Sequence, residues 1–126
     1  EHITAFWDFL PTVTELVGAE KVKGIDGISY LPLLIGNGDV GRNHEYIYYE
    51  FYEQGGKQSM LQDGWKLVRL NMSKPGELQE ELYYLPDDVG EEKNLIRQNS
   101  QKADELRKLA MKARTESEYF KWEEKK

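Results

Sequence analysis

The sequence predicts an α+β fold: an antiparallel sheet of about four strands packed with a C-terminal helix, preceded by an N-terminal amphipathic helix and an irregular connector. Three observations predict it. Apolar residues recur at three- and four-residue steps near both ends of the chain, which is the helical period. Between residues 45 and 85 they alternate and are rich in Tyr, Ile, Val and Leu, which is the strand period. Glycine turns cut that middle region into short runs suited to hairpins.

In "TAFWDFLPTVTELVG" the residues Phe6, Phe9, Leu10, Val13, Leu16 and Val17 share one helical face, and Gly18 comes next as a stop. Pro11 is tolerated if the helix begins near Asp8, because first-turn amides have no intrahelical partner and Asp8 is placed to cap them. "DGISYLPLLIG" is interrupted by Pro32, so it reads as a partly buried connector rather than a long helix or a central strand.

From Glu45 the period becomes two. Ile47, Tyr49 and Phe51 fall on one face of a strand and Tyr46, Tyr48 and Tyr52 on the other, and "EQGGK" turns the chain. A second strand over residues 58–62 meets a third over 65–70 through Asp63-Gly64, a pair that suits a type I′ turn because both central positions need positive φ. After the "KPGE" turn a fourth strand covers 81–85. "PDDVGEEKNL" is loop, and Asn99 or Ser100 caps a helix carrying Ala103, Leu106, Leu109, Ala110 and Ala113. The tail "SEYFKWEEKK" either docks Tyr119, Phe120 and Trp122 on the body or frays.

Composition excludes several functions. The chain has 126 residues, enough for one domain or a piece of a larger one. With 32% charged residues and a net charge of -6, its surface is acidic, which argues against a partner built on a phosphate backbone. No apolar run approaches the roughly 20 residues that span a bilayer, and no signal-peptide core is visible. There is no cysteine, hence no disulfide, thiolate metal site or cysteine nucleophile. The chain begins Glu1-His2-Ile3 rather than with Met, and residues 1–126 are expected to be part of a longer protein.

The motifs that suggest chemistry fail on context. "GNGDVG", residues 36–41, has the spacing of a dinucleotide loop, but the segment after Gly41 is strand-like, so no helix N-terminus is present to take a pyrophosphate. The loop reads as a flexible turn. "HEYIY" lacks the second histidine of a zinc-protease helix, since Tyr48 stands there. "NGDVGRNHEYIY" fails as a calcium loop at Arg42 and Tyr48. No serine lies in a nucleophile elbow. His2 and His44 read as surface or turn residues, and Glu80-Glu81 and Asp87-Asp88 as solvated charge. The aromatics between Tyr46 and Tyr52 suit a sheet core with cross-strand pairs, or a ligand platform. From the residues alone the chain is an α+β domain without a catalytic centre of its own.

Four stretches, in order, resemble the C-terminal region of the sulfatase family. "DFLPTVTELVG" is similar to its Asp-Leu-x-Pro-Thr helix, and "DGISYLPLLIG" to its Asp-Gly-x-Ser-Leu-x-Pro-Leu-Leu segment. "KQSMLQDGWKLVRL" resembles the strand pair Ala-Val-Arg-x-Gly-x-Trp-Lys, and "ELYYLPDDVGEEKNL" resembles Glu-Leu-Tyr-Asp-Leu-x-x-Asp-Pro-x-Glu-x-x-Asn-Leu. The departures are Leu61 for a frequent Arg, the inverted order of Asp63-Gly64, Tyr84 for an Asp and Val89 for a Pro. Only an anion contact from the missing Arg is put in doubt.

The resemblance implies sulfate-ester hydrolysis by a formylglycine, made from Cys or Ser in a Cys/Ser-x-Pro/Ala-x-Arg motif, beside a calcium held by carboxylates. This chain has no such motif, so no catalytic or metal-binding residue and no cofactor is expected within it; calcium is expected in the parent enzyme. Residues 1–44 would end the catalytic domain, and 45–126 would be the C-terminal subdomain. The implied partners are the parent's N-terminal catalytic domain and a sulfated carbohydrate, with no nucleic acid, no membrane and self-association of the fragment. The implied location is periplasmic or extracellular.

Within that frame the "EQGGK" turn and its flanks are the expected substrate contacts. Adjacent glycines allow close approach, Gln54 and Gln58 donate and accept as sugar hydroxyls require, and Lys57 offers charge to a sulfate, with Glu53 beside them. Two other readings stand next to this one: an autonomous carbohydrate- or protein-binding module without catalysis, and part of a related phosphate- or phosphonate-ester hydrolase.

Overall fold

A computed structural model of the chain describes residues 2–36, 43–74 and 76–119. The chain divides into two units, Glu1–Glu45 and Tyr46–Lys126. Most of the "GNGDVG" loop, residues 37–41, lies outside the described residues, as do Phe120 and Trp122 of the tail.

In the first unit a single 3-10 turn, Phe6–Asp8, leads into helix α1, Phe9–Leu16. Pro11 falls in its first turn, where a missing amide costs nothing. Asp8 stands at the N-cap but does not cap α1. Its carboxylate instead accepts from the Ala5 amide at 2.7 Å and from the Ile28 amide at 2.8 Å, so it ties the connector to the helix start. Thr12 helps: its hydroxyl donates to the Asp8 carbonyl and accepts from the Tyr30 amide. Gly27 passes so close to α1 that a Cβ there would sit 2.3 Å from the Trp7 carbonyl oxygen. The connector is irregular except for one helical turn, α2, Leu31–Leu34, which Pro32 opens.

The amphipathic pattern of α1 is real, yet its apolar face is not buried. Phe6 is 89% exposed, and Phe9, Leu10, Leu16 and Val17 are all exposed, leaving Thr12 as the one buried residue of the helix.

The second unit is a four-stranded antiparallel sheet in the order β1-β2-β3-β4: β1 Ile47–Phe51, β2 Lys57–Gln62, β3 Trp65–Leu70 and β4 Gln79–Tyr84. The register places Tyr48, Met60, Leu67 and Leu82 in one row across all four strands. That row meets Ala103, Leu106 and Ala110 of helix α3, Ser100–Ala113, and with Leu109 and Ala113 they make the core. The small residues Ala103 and Ala110 let the helix lie close, while Leu106 fills the centre.

Two local expectations are corrected. Asn99 takes the N-cap position of α3, but its side chain caps no amide, and its amide nitrogen points to the Leu95 carbonyl. β4 begins at Gln79 rather than 81, because Glu80 and Gln79 continue the ladder opposite Arg69 and Leu70. The outer edge of β4 is covered at Leu82, whose amide donates to Asn94 Oδ1 and whose carbonyl accepts from the Leu95 amide at 2.7 Å. Asp88 organises the rest of that loop by accepting from the Glu92 and Lys93 amides. These bonds hold its carboxyl below the usual range. Tyr119, at the last described position, is 88% exposed.

Candidate functional site

The β1–β2 connection is a 3-10 turn, Glu53–Gly55, in which Gln54 adopts a left-handed φ of 55°. Two backbone bonds tie it to the β3–β4 connection, from the Met72 amide to the Gly56 carbonyl and from the Ser73 amide to the Gly55 carbonyl. The stem of Lys74 lies over Gly55, 2.9 Å from where a Cβ would stand. Glu53 and Gln54 are exposed, and Lys57 Nζ donates to Gln54 Oε1 at 2.9 Å. Glu53, Gln54 and Lys57 therefore share one polar turn, and Lys74 joins them there without any signal in the sequence.

Gln58 does not join them. Successive strand residues point to opposite faces, so Gln58 turns towards α3 and is only 4% exposed. Both ends of its amide are engaged: Nε2 donates to Tyr48 Oη at 3.0 Å and Oε1 accepts from Arg69 Nη1 at 2.9 Å.

Gln58 is the middle of a polar chain on the helix side of the sheet. Tyr48 and Tyr52 both donate to Glu50, at 2.5 and 2.7 Å, and Arg114 Nε reaches Glu50 at 3.3 Å. On the other side Arg69 Nε donates to Glu80 at 2.9 Å, and Arg107 clasps the same carboxylate through Nε and Nη2 while also pairing with Asp104. Burial pushes the Tyr48 hydroxyl well up, and the bond to Glu50 adds to it. Every acid here has a basic partner, so the network is a satisfied structural element that fixes α3 on the sheet.

The opposite face of the sheet is open. Ile47, Tyr49 and Phe51 do share one face, as alternation predicts, and with Leu61, Val68 and Leu70 they line a shallow apolar groove of about 590 Å³. Lys66 and Glu91 pair at its border at 2.6 Å. The aromatic run is thus divided between core on one face and groove on the other.

The first unit holds a second polar centre, which the sequence does not reveal. His44 is not a surface residue: its side chain is 10% exposed, and its Nε2 lies 2.8 and 3.0 Å from the two oxygens of Asp8, which is itself 1% exposed. The ring stands edge-on to Trp7 at 6.4 Å between centroids. Burial alone would raise the Asp8 pKa, but the Ala5 and Ile28 amides together with His44 outweigh it and hold the carboxyl below its ordinary value. No sequence pattern marks a pair 36 residues apart. Asp8 within the Asp-x-x-Pro-Thr stretch was the only hint.

Among the described residues no three His, Cys, Asp or Glu side chains gather where they could hold a metal ion. Nor is any helix of the described residues long and apolar enough to cross a membrane.

No family model and no curated protein matches the sequence. Solved structures do. One is BT4656 in complex with its substrate D-glucosamine-2-N,6-O-disulfate, at 24% identity and a TM-score of 0.64, over 83% of this chain and 22% of that chain. Another is Ps i-CgsB, at 22% identity and a TM-score of 0.67, over 89% of this chain and 24% of that chain; it has also been solved in complex with k-i-k-neocarrahexaose. A third is the phosphonate monoester hydrolase of Agrobacterium radiobacter, at 21% identity and a TM-score of 0.57, again over 89% of this chain and 24% of that chain. The chain spans less than a quarter of the length of these proteins. Its fold is that of the segment it matches in them.

Proposed function

We propose that this chain is the C-terminal part of a sulfatase that hydrolyses sulfate esters of glycans, supplying structure and a stretch of substrate rim rather than the reacting groups. One observation carries the reading. The fold likeness runs along 83–89% of this chain to proteins of which one is described with the substrate D-glucosamine-2-N,6-O-disulfate and another with k-i-k-neocarrahexaose, and four stretches of the sequence, in order, resemble sulfatases. The exposed apolar side of α1 and the open groove of the sheet are the kinds of surface that a larger body covers. We place that body in the preceding catalytic domain, which would bring the formylglycine and the calcium. The periplasm or the extracellular space suits such an enzyme.

In this reading the rim consists of Glu53, Gln54 and Lys57. Gln58 positions Tyr48 and Arg69 instead of touching sugar, because it is buried and both ends of its amide are engaged in the network. The full-length protein should release sulfate from 4-nitrophenyl sulfate and from D-glucosamine-2-N,6-O-disulfate or k-i-k-neocarrahexaose. Lys57→Ala should lower kcat/KM for the sulfated sugar by about threefold to tenfold more than for the aryl ester, since a remote charge acts on the remote part of the substrate. Turnover of a phosphonate monoester but of no sulfate ester would favour the phosphonate hydrolase reading, which the third structural likeness supports. Binding of sugar without turnover would favour a plain binding module.

A further inference from the structure

We propose that Phe51 is a stacking platform for one ring of a sulfated oligosaccharide, with Lys57 beside it to take a sulfate on that ring; this rests on the sulfatase reading above and narrows its substrate to a glycan of more than one sugar. Register brings the two side chains together. Phe51 on β1 and Lys57 on β2 are directly opposed, so they stand on the same face of the sheet with Cβ atoms roughly 5 Å apart. Both line the open groove. That groove opens towards them: along this face of β1 the exposure rises from 4% at Ile47 to 36% at Tyr49 and 57% at Phe51, beside the polar turn.

The two lysines of the groove differ in how their charge is met. Lys66 is neutralised by Glu91 at the border. Lys57 forms no ion pair among the described residues; its ammonium donates to the neutral Gln54 Oε1 at 2.9 Å, which leaves donor capacity for an anion. An exposed aromatic face next to an uncompensated cation suits a sulfated sugar, whose ring C–H groups lie on the aromatic face while its sulfate meets the ammonium. The groove, at about 590 Å³, has the size of small-ligand sites, which run from roughly 300 to 1,000 Å³. A wholly apolar occupant would desolvate Lys57 without pairing it, which is costly. The sulfate that reacts belongs at the formylglycine, outside this chain, so the ring on Phe51 is another sugar of the same glycan. In this arrangement the catalytic domain meets the sheet at the buried Ile47 end and leaves the Phe51 end as a wall of the cleft.

The test uses the full-length protein with k-i-k-neocarrahexaose, a hexasaccharide containing D-glucosamine-2-N,6-O-disulfate, and 4-nitrophenyl sulfate, which has no sugar ring. Phe51→Leu keeps an apolar side chain and removes the aromatic face. For the hexasaccharide that is turned over faster, Phe51→Leu should lower kcat/KM by about threefold to tenfold more than for the aryl ester, and Phe51→Tyr, which keeps the face, should retain the parent value. Equal losses on the two substrates, or a loss that Phe51→Tyr shares, would overturn the proposal and make Phe51 a packing contact. If Phe51→Leu does not fold, the unmutated protein decides: its kcat/KM should be at least about threefold higher for the hexasaccharide than for the disaccharide cut from it, since shortening removes the stacked ring, and equal values refute the stacking. Turnover of D-glucosamine-2-N,6-O-disulfate but of neither hexasaccharide would also overturn the proposal while leaving the sulfatase reading intact. Absence of turnover on every sulfate ester would instead sink that reading, and this proposal with it.

Discussion

Glu80 shows how much a single side chain depends on its neighbours. As one of two adjacent acids it reads as solvated charge, but the strand sends Glu80 and Glu81 to opposite faces. Glu81 accepts from the Tyr83 hydroxyl at 3.0 Å, and burial, with that bond adding to it, pushes the Tyr83 pKa up to about 12. Glu80 receives Arg69 and Arg107. Burial would raise its pKa, yet the bonds and charge of Arg107 and Arg69 outweigh burial and lower it. A carboxyl depressed in the folded state contributes stability above its unfolded pKa of about 4.3, and that contribution fades as pH falls through the lower folded value. Asp8 behaves in the same sense. Glu80→Gln should therefore cost about 1–3 kcal/mol at pH 7 and much less in acid, where the parent has lost the same interaction. Urea titrations of both proteins at neutral and acid pH measure this, and a stability gap that stays constant with pH would refute the assignment.

At the level of elements, the β2–β3 hairpin was the most legible piece of the chain. Asp63 and Gly64 both take positive φ, 52° and 78°, as a type I′ turn requires. The tertiary structure adds a second constraint that the dipeptide does not reveal: a Cβ on Gly64 would stand 2.9 Å from the ring of Pro86. Gly64→Ala should lose about 1–3 kcal/mol from the combined strain and clash, seen as a lower urea midpoint with the same slope. Helix α3 was equally legible in its buried face, because the three- and four-residue spacing of Ala103, Leu106 and Ala110 is local information. Its cap was not. Whether Asn99 turns forward to an amide or back to Leu95 is settled by a loop bonded to β4, which no local pattern encodes. The start of β4 was missed for a related reason, since Gln79 is exposed and owes its place to pairing with Leu70 rather than to any apolar signal.

The molecule as a whole carries more exposed apolar surface on its first unit than a free-standing domain usually shows, chiefly Phe6, Phe9, Leu10, Leu16 and Val17. The isolated chain should self-associate through this face. Sedimentation velocity over a concentration series should show species larger than a monomer, and Phe6→Ser with Phe9→Ser should return the chain to monomer; a parent chain that stays monomeric throughout would mean the face needs no cover. Residue spacing along the chain was enough to read the α+β class, the alternation that separates Tyr48 from Tyr49, the hairpin turn and the buried stripe of α3. All of these depend on spacings of a few residues and on backbone preferences that act locally. Long-range contacts were needed to show that Gln58 leaves the polar turn for the Tyr48–Arg69 network, that Glu80 is clasped by two arginines, and that Asp8 and His44 meet. Each of these pairs joins residues ten or more positions apart, so the partner is chosen by register and packing. A buried polar group takes whichever partner the fold brings to it, because leaving it without one costs more than any local preference gains.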